Sequence, residues 1–206
     1  MTFLQFKEQW HRVGCFNIYQ IRAWCPDFDR TNITRWVKRG YLLKLRQDWY
    51  AFSDMRANPD AARYVAYRMY QPSYISIHTA LAIYGIIPES VTRITSVTTK
   101  RTTSYSNAFG DFCYQSVKPD MFFGYRQMQM ETGGSYLLAL PEKALLDLLY
   151  LYPQYNTEED FLELRLDEWW MQEEVDVARL KEFASRCGVK SVRNRVDLLI
   201  NTYRHD

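Results

Sequence analysis

The hydrophobic periodicity of the chain changes at Gly40, and this change constrains the fold of the first fifty residues. Before that glycine, Ile33, Trp36 and Val37 recur at the spacing of one buried helix face. Asp29 can cap such a helix, because its carboxylate can accept hydrogen bonds from the amides of the first turn. Gly40 suits the left-handed position that follows a helix end. The pattern predicts a helix between Asp29 and Gly40.

After this glycine the apolar residues follow the two-residue period of a strand. Leu43 and Leu45 alternate with Lys44 and Arg46, and Gln47-Asp48 stands where a hairpin turn is needed. Trp49, Tyr50 and Phe52 continue the apolar pattern beyond the turn. We therefore predict a two-stranded hairpin with both basic side chains on one exposed edge.

Two further helices are expected upstream, over Phe3–Trp10 and near Asn17–Trp24. Together with the third helix and the hairpin they predict a winged helix-turn-helix domain over residues 1–56. Such a module usually places its third helix in the DNA major groove. The first 58 residues carry ten Lys/Arg and five Asp/Glu, whereas the remaining 148 carry sixteen and nineteen. Only this N-terminal part has the sign of charge that phosphate contacts require.

The outward face of the third helix supplies the candidate base-reading residues. Arg and Thr side chains can hydrogen-bond to base edges, and a lysine near the helix end can neutralise a phosphate. Flanking arginines are expected to contact the DNA backbone. The predicted DNA-binding residues are Arg30, Thr31, Thr34, Arg35, Lys38, Arg39, Lys44 and Arg46. A mixed-charge helix face that is merely solvated is the alternative interpretation.

The rest of the chain predicts a linker helix and an α+β body. Asn58-Pro59-Asp60 is typical of a helix start and opens a linker over residues 57–73. The body, residues 74–206, is expected to contain a small antiparallel sheet followed by helices. Strands are predicted at Val91–Thr99, Phe109–Val117, Met121–Met128 and Ser135–Leu140, and a polar loop at Lys100–Ala108.

The C-terminal helices carry charge patterns with two interpretations each. Glu142, Lys143 and Asp147 could form a charged trio, but their helical spacing behind Pro141 also explains them structurally. Further on, nine acids lie between residues 158 and 176, and seven bases lie between residues 179 and 204. These segments form either a self-complementary solvated surface or a docking face for a charged partner.

No motif in the chain predicts catalysis, a cofactor or a metal site. The phosphate-binding, dinucleotide-binding and nucleophile-elbow motifs are absent from the sequence, as is any Glu-x-Lys. The four cysteines form no C-x-x-C pair and are expected to be reduced thiols in a cytosolic protein. No secretory signal is evident, and the apolar runs fall short of the ~20 residues of a membrane span. We therefore expect a cytoplasmic protein that is not an enzyme.

A series of short motifs in a fixed order identifies a resemblance. In chain order these motifs are Lys38–Leu42 leading to Trp49-Tyr50, Tyr74–Ser76, Ala80-Leu81, Tyr84–Glu89, Phe109-Gly110 with Tyr114, Phe123-Gly124, Leu138-Ala139 and Pro141–Asp147. Over roughly residues 5–150 the chain resembles the AbiEi-type antitoxins of type IV toxin–antitoxin systems. These bacterial proteins are also described as transcriptional regulators.

The resemblance implies a DNA-binding head and a toxin-opposing body. The head would bind double-stranded operator DNA of its own operon and repress it. The body would counter a nucleotidyltransferase-like toxin encoded next door, and the family gives no reason to assume a stable complex. The family's DNA-reading role carries over to Thr31, Thr34, Arg35, Lys38, Lys44 and Arg46. One departure is Gln47-Asp48, where family members often have glycine, and an acid there would weaken phosphate contact.

Two other functional hypotheses remain open at this stage. A winged helix that no longer reads DNA could serve as a protein-interaction module, a hypothesis that Asp48 and the high aromatic content motivate. A nuclease built on a DNA-binding head would need metal-binding carboxylates; Asp111 and Asp120 are candidates, but the Glu-x-Lys that commonly accompanies them is absent.

Overall fold

The chain folds into a mixed α+β structure with two sheets. The computed structural model describes residues 1–88, 91–131 and 133–204. Glu89, the last residue of the Tyr84–Glu89 motif, lies outside the described residues. We use head for residues 1–56 and body for residues 74–204, with residues 57–73 between them.

The head contains three helices and a three-stranded antiparallel sheet. Its elements are α1 (Phe3–Trp10), β1 (Cys15–Asn17), α2 (Ile18–Trp24), α3 (Thr31–Lys38), β2 (Leu42–Arg46) and β3 (Trp49–Phe52). The strand order is β1-β3-β2, with every pair antiparallel. The predicted helices and hairpin are confirmed, whereas β1 was not predicted. A strand of three residues is too short to show a two-residue period, and β1 can be recognised only from its pairing with β3.

Reciprocal side-chain caps explain where the first two helices begin. Thr2 Oγ1 accepts from the Gln5 amide, while the Gln5 side chain accepts from the amide of Thr2 at 2.8 Å. Asn17 and Gln20 form the same arrangement at the start of α2, with both bonds at 2.9 Å. Each of these reciprocal pairs, known as a capping box, satisfies two backbone amides that have no hydrogen-bond partner inside the helix.

The third helix ends at the predicted glycine. Gly40 has φ +74°, its amide donates to Val37 O, and the Tyr41 amide donates to Trp36 O. This pair of bonds closes the helix end in a Schellman motif. The hairpin follows at once, and the pairing of Arg46 with Trp49 leaves two residues for its turn.

The body contains a six-stranded sheet covered by helices. After α4 (Ala61–Met69), the elements are β4 (Ser73–Ile75), α5 (Ile77–Ile83), β5 (Arg93–Thr98), β6 (Thr103–Asn107), β7 (Gly110–Ser116), β8 (Tyr125–Gln129), β9 (Ser135–Ala139), α6 (Pro141–Leu151), α7 (Glu158–Glu163), α8 (Val177–Cys187) and α9 (Lys190–Tyr203). A π-helical turn, Trp170–Glu174, precedes α8.

The body sheet is larger than the small antiparallel sheet that was predicted for it. Its strand order is β6-β7-β5-β4-β9-β8, and the β4–β9 and β5–β7 pairs are parallel. The predicted polar loop at Lys100–Ala108 is wrong, because β6 occupies most of it. Thr103, Tyr105 and Asn107 are half-buried while Ser104 and Ser106 are exposed. Such polar alternation is typical of an edge strand, and it lacks the apolar residues by which the other strands were predicted.

A buried polar network fastens α6 to β4. Lys143 and Asp147 are completely buried and form an ion pair one helical turn apart. Lys143 Nζ donates to Tyr74 Oη at 2.8 Å, and Asp147 Oδ2 accepts from Tyr74 at 3.0 Å and from Ser76 at 2.7 Å. Burial, followed by the charge of Asp147, raises the pKa of Tyr74 well above its ordinary value, so the phenol keeps the proton that it donates.

All three members of the charged trio are therefore buried: Lys143 and Asp147 form this ion pair, and Glu142 is 3% exposed. Helical spacing does bring Lys143 and Asp147 together, as the sequence indicated. What it could not indicate is that α6 is enclosed along its length, with residues 142–149 all buried. A charge at such a position is stable only with full pairing.

Removing the cation of this network should destabilise the protein strongly. Lys143→Met leaves Asp147 buried without its counterion, and we expect the free energy of unfolding to fall by about 3–5 kcal/mol. Urea denaturation followed by circular dichroism measures this change. Lys181→Met, at an exposed position of α8, is the matched control and should cost less than about 0.5 kcal/mol. Equal stability of wild type and Lys143→Met would contradict the role assigned to the pair.

Head and body share one apolar core at their junction. Cys15, Leu45 and Ala51, on the inner side of the head sheet, are buried in the same cluster as the core of the body. Tyr64 of α4 belongs to that cluster, and its hydroxyl donates to Val13 O at 2.8 Å. The helix between the two parts is thus packed against both of them.

The buried thiol at this junction should make stability depend on alkaline pH. Burial raises the pKa of Cys15 to about 12, against the opposing effect of nearby Arg68 and Arg46. In the unfolded chain a thiol ionises near pH ~8.5, so between those values only the unfolded state loses the proton. Stability therefore falls as pH rises above that lower value.

Comparison with the Cys15→Ala variant isolates the part of this pH dependence of stability that comes from the Cys15 thiol. Between pH ~8.5 and ~10 the free energy of unfolding of wild type should drop by about 2 kcal/mol more than that of the variant. Titrating tyrosines affect both proteins alike and cancel in the difference. Denaturant titrations under reducing conditions at several pH values provide the measurement, and a pH-independent difference between the two proteins would show that Cys15 does not titrate in this way.

Candidate nucleic-acid interface

The third helix presents a sharply divided surface. Its inner face is formed by Ile33 and Trp36, which are 1% and 3% exposed and pack into the aromatic core of the head. The opposite face carries four exposed side chains that helical spacing brings into one row, namely Thr31, Thr34, Arg35 and Lys38. The aromatic core fixes this orientation, because burying Trp36 forces the basic row outward.

The first turn of α3 is organised by Asp29. Its Oδ1 accepts from the Thr31 amide at 2.9 Å, and its Oδ2 accepts from the Thr31 hydroxyl at 2.6 Å. These bonds lower the pKa of Asp29 below its ordinary value. The ionised carboxylate complements the positive end of the helix dipole. The Thr31 hydroxyl is consequently held in one direction, with its oxygen still able to accept.

Arg35 is oriented by a buried neighbour one turn earlier. Its Nη2 donates to Oδ1 of Asn32, a side chain that is only 6% exposed. This bond uses one N–H group of the guanidinium, and the side chain as a whole remains exposed. Asn32 was not among the predicted site residues, although its position three residues before Arg35 allows such a pair.

Arg30 is tied to the hairpin turn. Its Nη2 donates to Asp48 Oδ1 at 2.5 Å, and the Asp48 side chain is only 13% exposed. The acid at the hairpin tip is therefore neutralised within the head and does not project as a bare negative charge. Arg30, predicted as a backbone contact, has part of its guanidinium committed to this bond.

The structure does not place Arg46 on an exposed edge, contrary to the sequence prediction. Its guanidinium is half-buried, with Nη1 donating to Tyr105 Oη at 3.0 Å and Nη2 donating to Met69 O at 2.8 Å. The alternation that predicted its exposure is broken by a register shift between Lys44 and Arg46. Lys44 is exposed, as predicted.

The eight predicted residues thus fall into three groups. Thr31, Thr34, Arg35, Lys38, Arg39 and Lys44 are all exposed on α3, at its end or on the following strand. Arg30 is exposed but paired, and Arg46 points into the junction with the body. The continuous candidate surface therefore consists of the α3 row with Arg39, and Lys44 adds a cation on the neighbouring strand.

Two grooves lie away from this surface. A groove of about 730 Å³ runs between head and body beside Val13, Met55 and Tyr64, and another of about 520 Å³ lies beside Thr95 in the body. Within residues 1–88, 91–131 and 133–204, no group of three or more His, Cys, Asp or Glu side chains could hold a metal ion. No helix of that same part of the chain has the length and apolar character needed to cross a membrane.

No protein-family model matches the chain, and a search of the curated proteins likewise gave no match.

Proposed function

We propose that the chain is a sequence-specific DNA-binding protein whose head is a winged helix-turn-helix domain. The observation that carries this proposal is the exposed row of Thr31, Thr34, Arg35 and Lys38, opposite the buried Ile33 and Trp36 on one short helix. A helix with this division can enter a major groove with hydrogen-bonding side chains toward the bases while its other face stays packed.

The arrangement of the head supports the winged-helix assignment. Two helices precede α3, and a short loop of residues 25–30 separates it from α2. A hairpin follows α3 directly and is completed by β1 as the third strand. A helix-turn-helix domain uses the earlier helices to support the third, and the hairpin forms the wing beside it.

Each exposed side chain has a defined task in the proposed complex. Arg35 can donate two hydrogen bonds to a guanine edge, and Thr31 or Thr34 can bond to a base or contact a thymine methyl group. Lys38, Arg39 and Lys44 are suited to phosphates, because a flexible cation contributes charge without reading sequence. Three such contacts per chain give a salt dependence of affinity with a slope of about −3 on logarithmic axes.

We further propose that this DNA is the operator of the protein's own operon, in a type IV toxin–antitoxin system. The proposal extends the resemblance to AbiEi-type antitoxins, which spans head and body motifs in order. The body would oppose a nucleotidyltransferase-like toxin encoded beside it, without a stable complex being required. Co-expression of the intact chain with the toxin encoded beside it should then protect the cells, and growth arrest that the chain does not relieve would contradict this role.

A second candidate is a protein-interaction module without specific DNA binding. The observation in its favour is that two of the basic residues near the hairpin, Arg30 and Arg46, make contacts inside the protein. Arg46 is then withdrawn from the surface, and Arg30, though exposed, is paired with Asp48. Sequence-independent weak binding to DNA, together with a stable complex with a purified partner, would favour this alternative.

Replacing the base-reading arginine should reduce specific affinity at one position of the operator. Arg35→Ala is expected to weaken operator binding by about 1–3 kcal/mol and to relax the preference at one base pair. Fluorescence anisotropy with single-base operator variants measures both effects. Arg193→Ala removes the same charge from an exposed site on α9 and should leave affinity unchanged. If both variants bind like wild type, α3 is not the reading surface.

Replacing the exposed hairpin lysine should have a different signature. Lys44→Gln is expected to weaken binding to operator and scrambled DNA about equally, since a phosphate contact carries no sequence information. The magnitude of the logarithmic salt slope should fall by about one. A salt series on both duplexes tests this, and an unchanged slope would remove Lys44 from the interface.

A further inference from the structure

The tip of the β2–β3 hairpin, residues 46–48, connects the body to the start of α3. In a free wing the tip would project into solvent and be available to the DNA backbone. Here the tip has contacts on two opposite sides, each made by a charged side chain. Those contacts determine what the tip can do in a DNA complex.

On the body side, Arg46 lies within an aromatic and carbonyl cage. Besides donating to Tyr105 Oη and Met69 O, its guanidinium carbon lies 5.1 Å from the ring centre of Tyr105 and 5.9 Å from those of Trp49 and Tyr70. A partly desolvated cation over several rings is strongly held, and arginine suits such a site because its planar group stacks. Freeing Arg46 for a phosphate would require all of these contacts to break.

On the head side, Asp48 joins the tip to two helices. Its carboxylate accepts from Arg30, the residue just before α3, at 2.5 Å. Its backbone oxygen accepts from the amide of Ile18, the first residue of α2, at 2.9 Å. Asp48 has φ +61°, a conformation that Asp and Asn tolerate better than most residues.

We propose that Arg46 and Asp48 are positioning residues that set the orientation of α3 on DNA and do not contact DNA themselves. This inference rests on the proposed DNA-binding function. A continuous series of bonds runs from Met69 and Tyr105 through Arg46 to the turn, and from Asp48 to Arg30 and α3. The body thereby holds the reading helix in place through the hairpin tip.

Asp48→Asn distinguishes positioning from simple electrostatics by the sign of its effect. The substitution removes a negative charge, so an acid that merely repels DNA predicts tighter operator binding. A positioning role predicts weaker binding, by about fivefold or more, because the charged bond to Arg30 is lost and the start of α3 is less fixed. Asparagine tolerates the positive φ, so the turn itself is preserved. Unchanged or tighter binding would overturn the proposal.

Arg46→Gln distinguishes positioning from phosphate contact by its salt dependence. We expect operator affinity to fall by about fivefold or more with the logarithmic salt slope unchanged. Lys44→Gln, on the same strand, is the matched control in which the slope does change. Tyr105→Phe removes only the acceptor in the body and should weaken binding in the same way without any change of charge. A slope reduced by about one in Arg46→Gln would overturn the proposal.

Hydrogen exchange of the free protein tests the same contacts without DNA. The amides of Ile18, Asn32 and Ile33 should exchange about fivefold faster or more in Asp48→Asn and Arg46→Gln than in wild type, and at the wild-type rate in Lys44→Gln. Unchanged exchange in the first two variants would overturn the positioning role proposed for Arg46 and Asp48. If wild type itself shows no specific DNA binding, the proposed function fails, and exchange alone then decides whether the tip fixes α3.

Discussion

The inner side of the head sheet is buried against α4 and the body sheet, and this burial fixes the arrangement of the head. Cys15, Leu45 and Ala51 are part of the core of the body, so the side of the head sheet that carries them cannot face solvent. The outer helices of the head must then cover the other side of the sheet, where Phe6, Phe16 and Trp36 form a second core. Because the apolar face of α3 packs into this second core, the row of Thr31, Thr34, Arg35 and Lys38 on its opposite face is exposed to solvent.

This construction separates the tasks of the basic residues near the hairpin. Lys38, Arg39 and Lys44 remain exposed and can attract a polyanion. Arg46 is half-buried and bonded to Tyr105 and Met69, and Arg30, though exposed, is paired with Asp48. In the proposed complex, one set of side chains would therefore contact phosphates and another would orient α3. Replacing a residue of the first set and a residue of the second should give distinguishable defects in DNA binding.

Local sequence patterns predicted the features whose cause is local. The α3 helix, its glycine stop and the two-residue hairpin turn follow from periodicity and turn chemistry over about twenty residues. The exposed row of α3 follows from the same period. Strands β1 and β6 depend on partners elsewhere in the chain, and their own residues are too few or too polar to reveal them.

Residues whose role comes from distant neighbours were misread or missed for the same reason. Arg46 meets Tyr105 across 59 positions of sequence, so alternation within its own strand could not predict its burial. Lys143 and Asp147 look like an ordinary surface pair at helical spacing until the enclosure of α6 is known. Asn32 differs, because it lies only three residues before Arg35; the spacing allowed this pair, and the structure adds that Asn32 is buried.

We propose that the exposed face of α3 reads a specific DNA sequence. Fluorescence anisotropy of the intact chain with DNA from upstream of its own gene, beside a scrambled duplex and across a salt series, measures this reading. Binding should be at least about a thousandfold tighter on the upstream DNA, with a logarithmic salt slope of about −3 per chain. Weak binding of equal strength on both duplexes would contradict it.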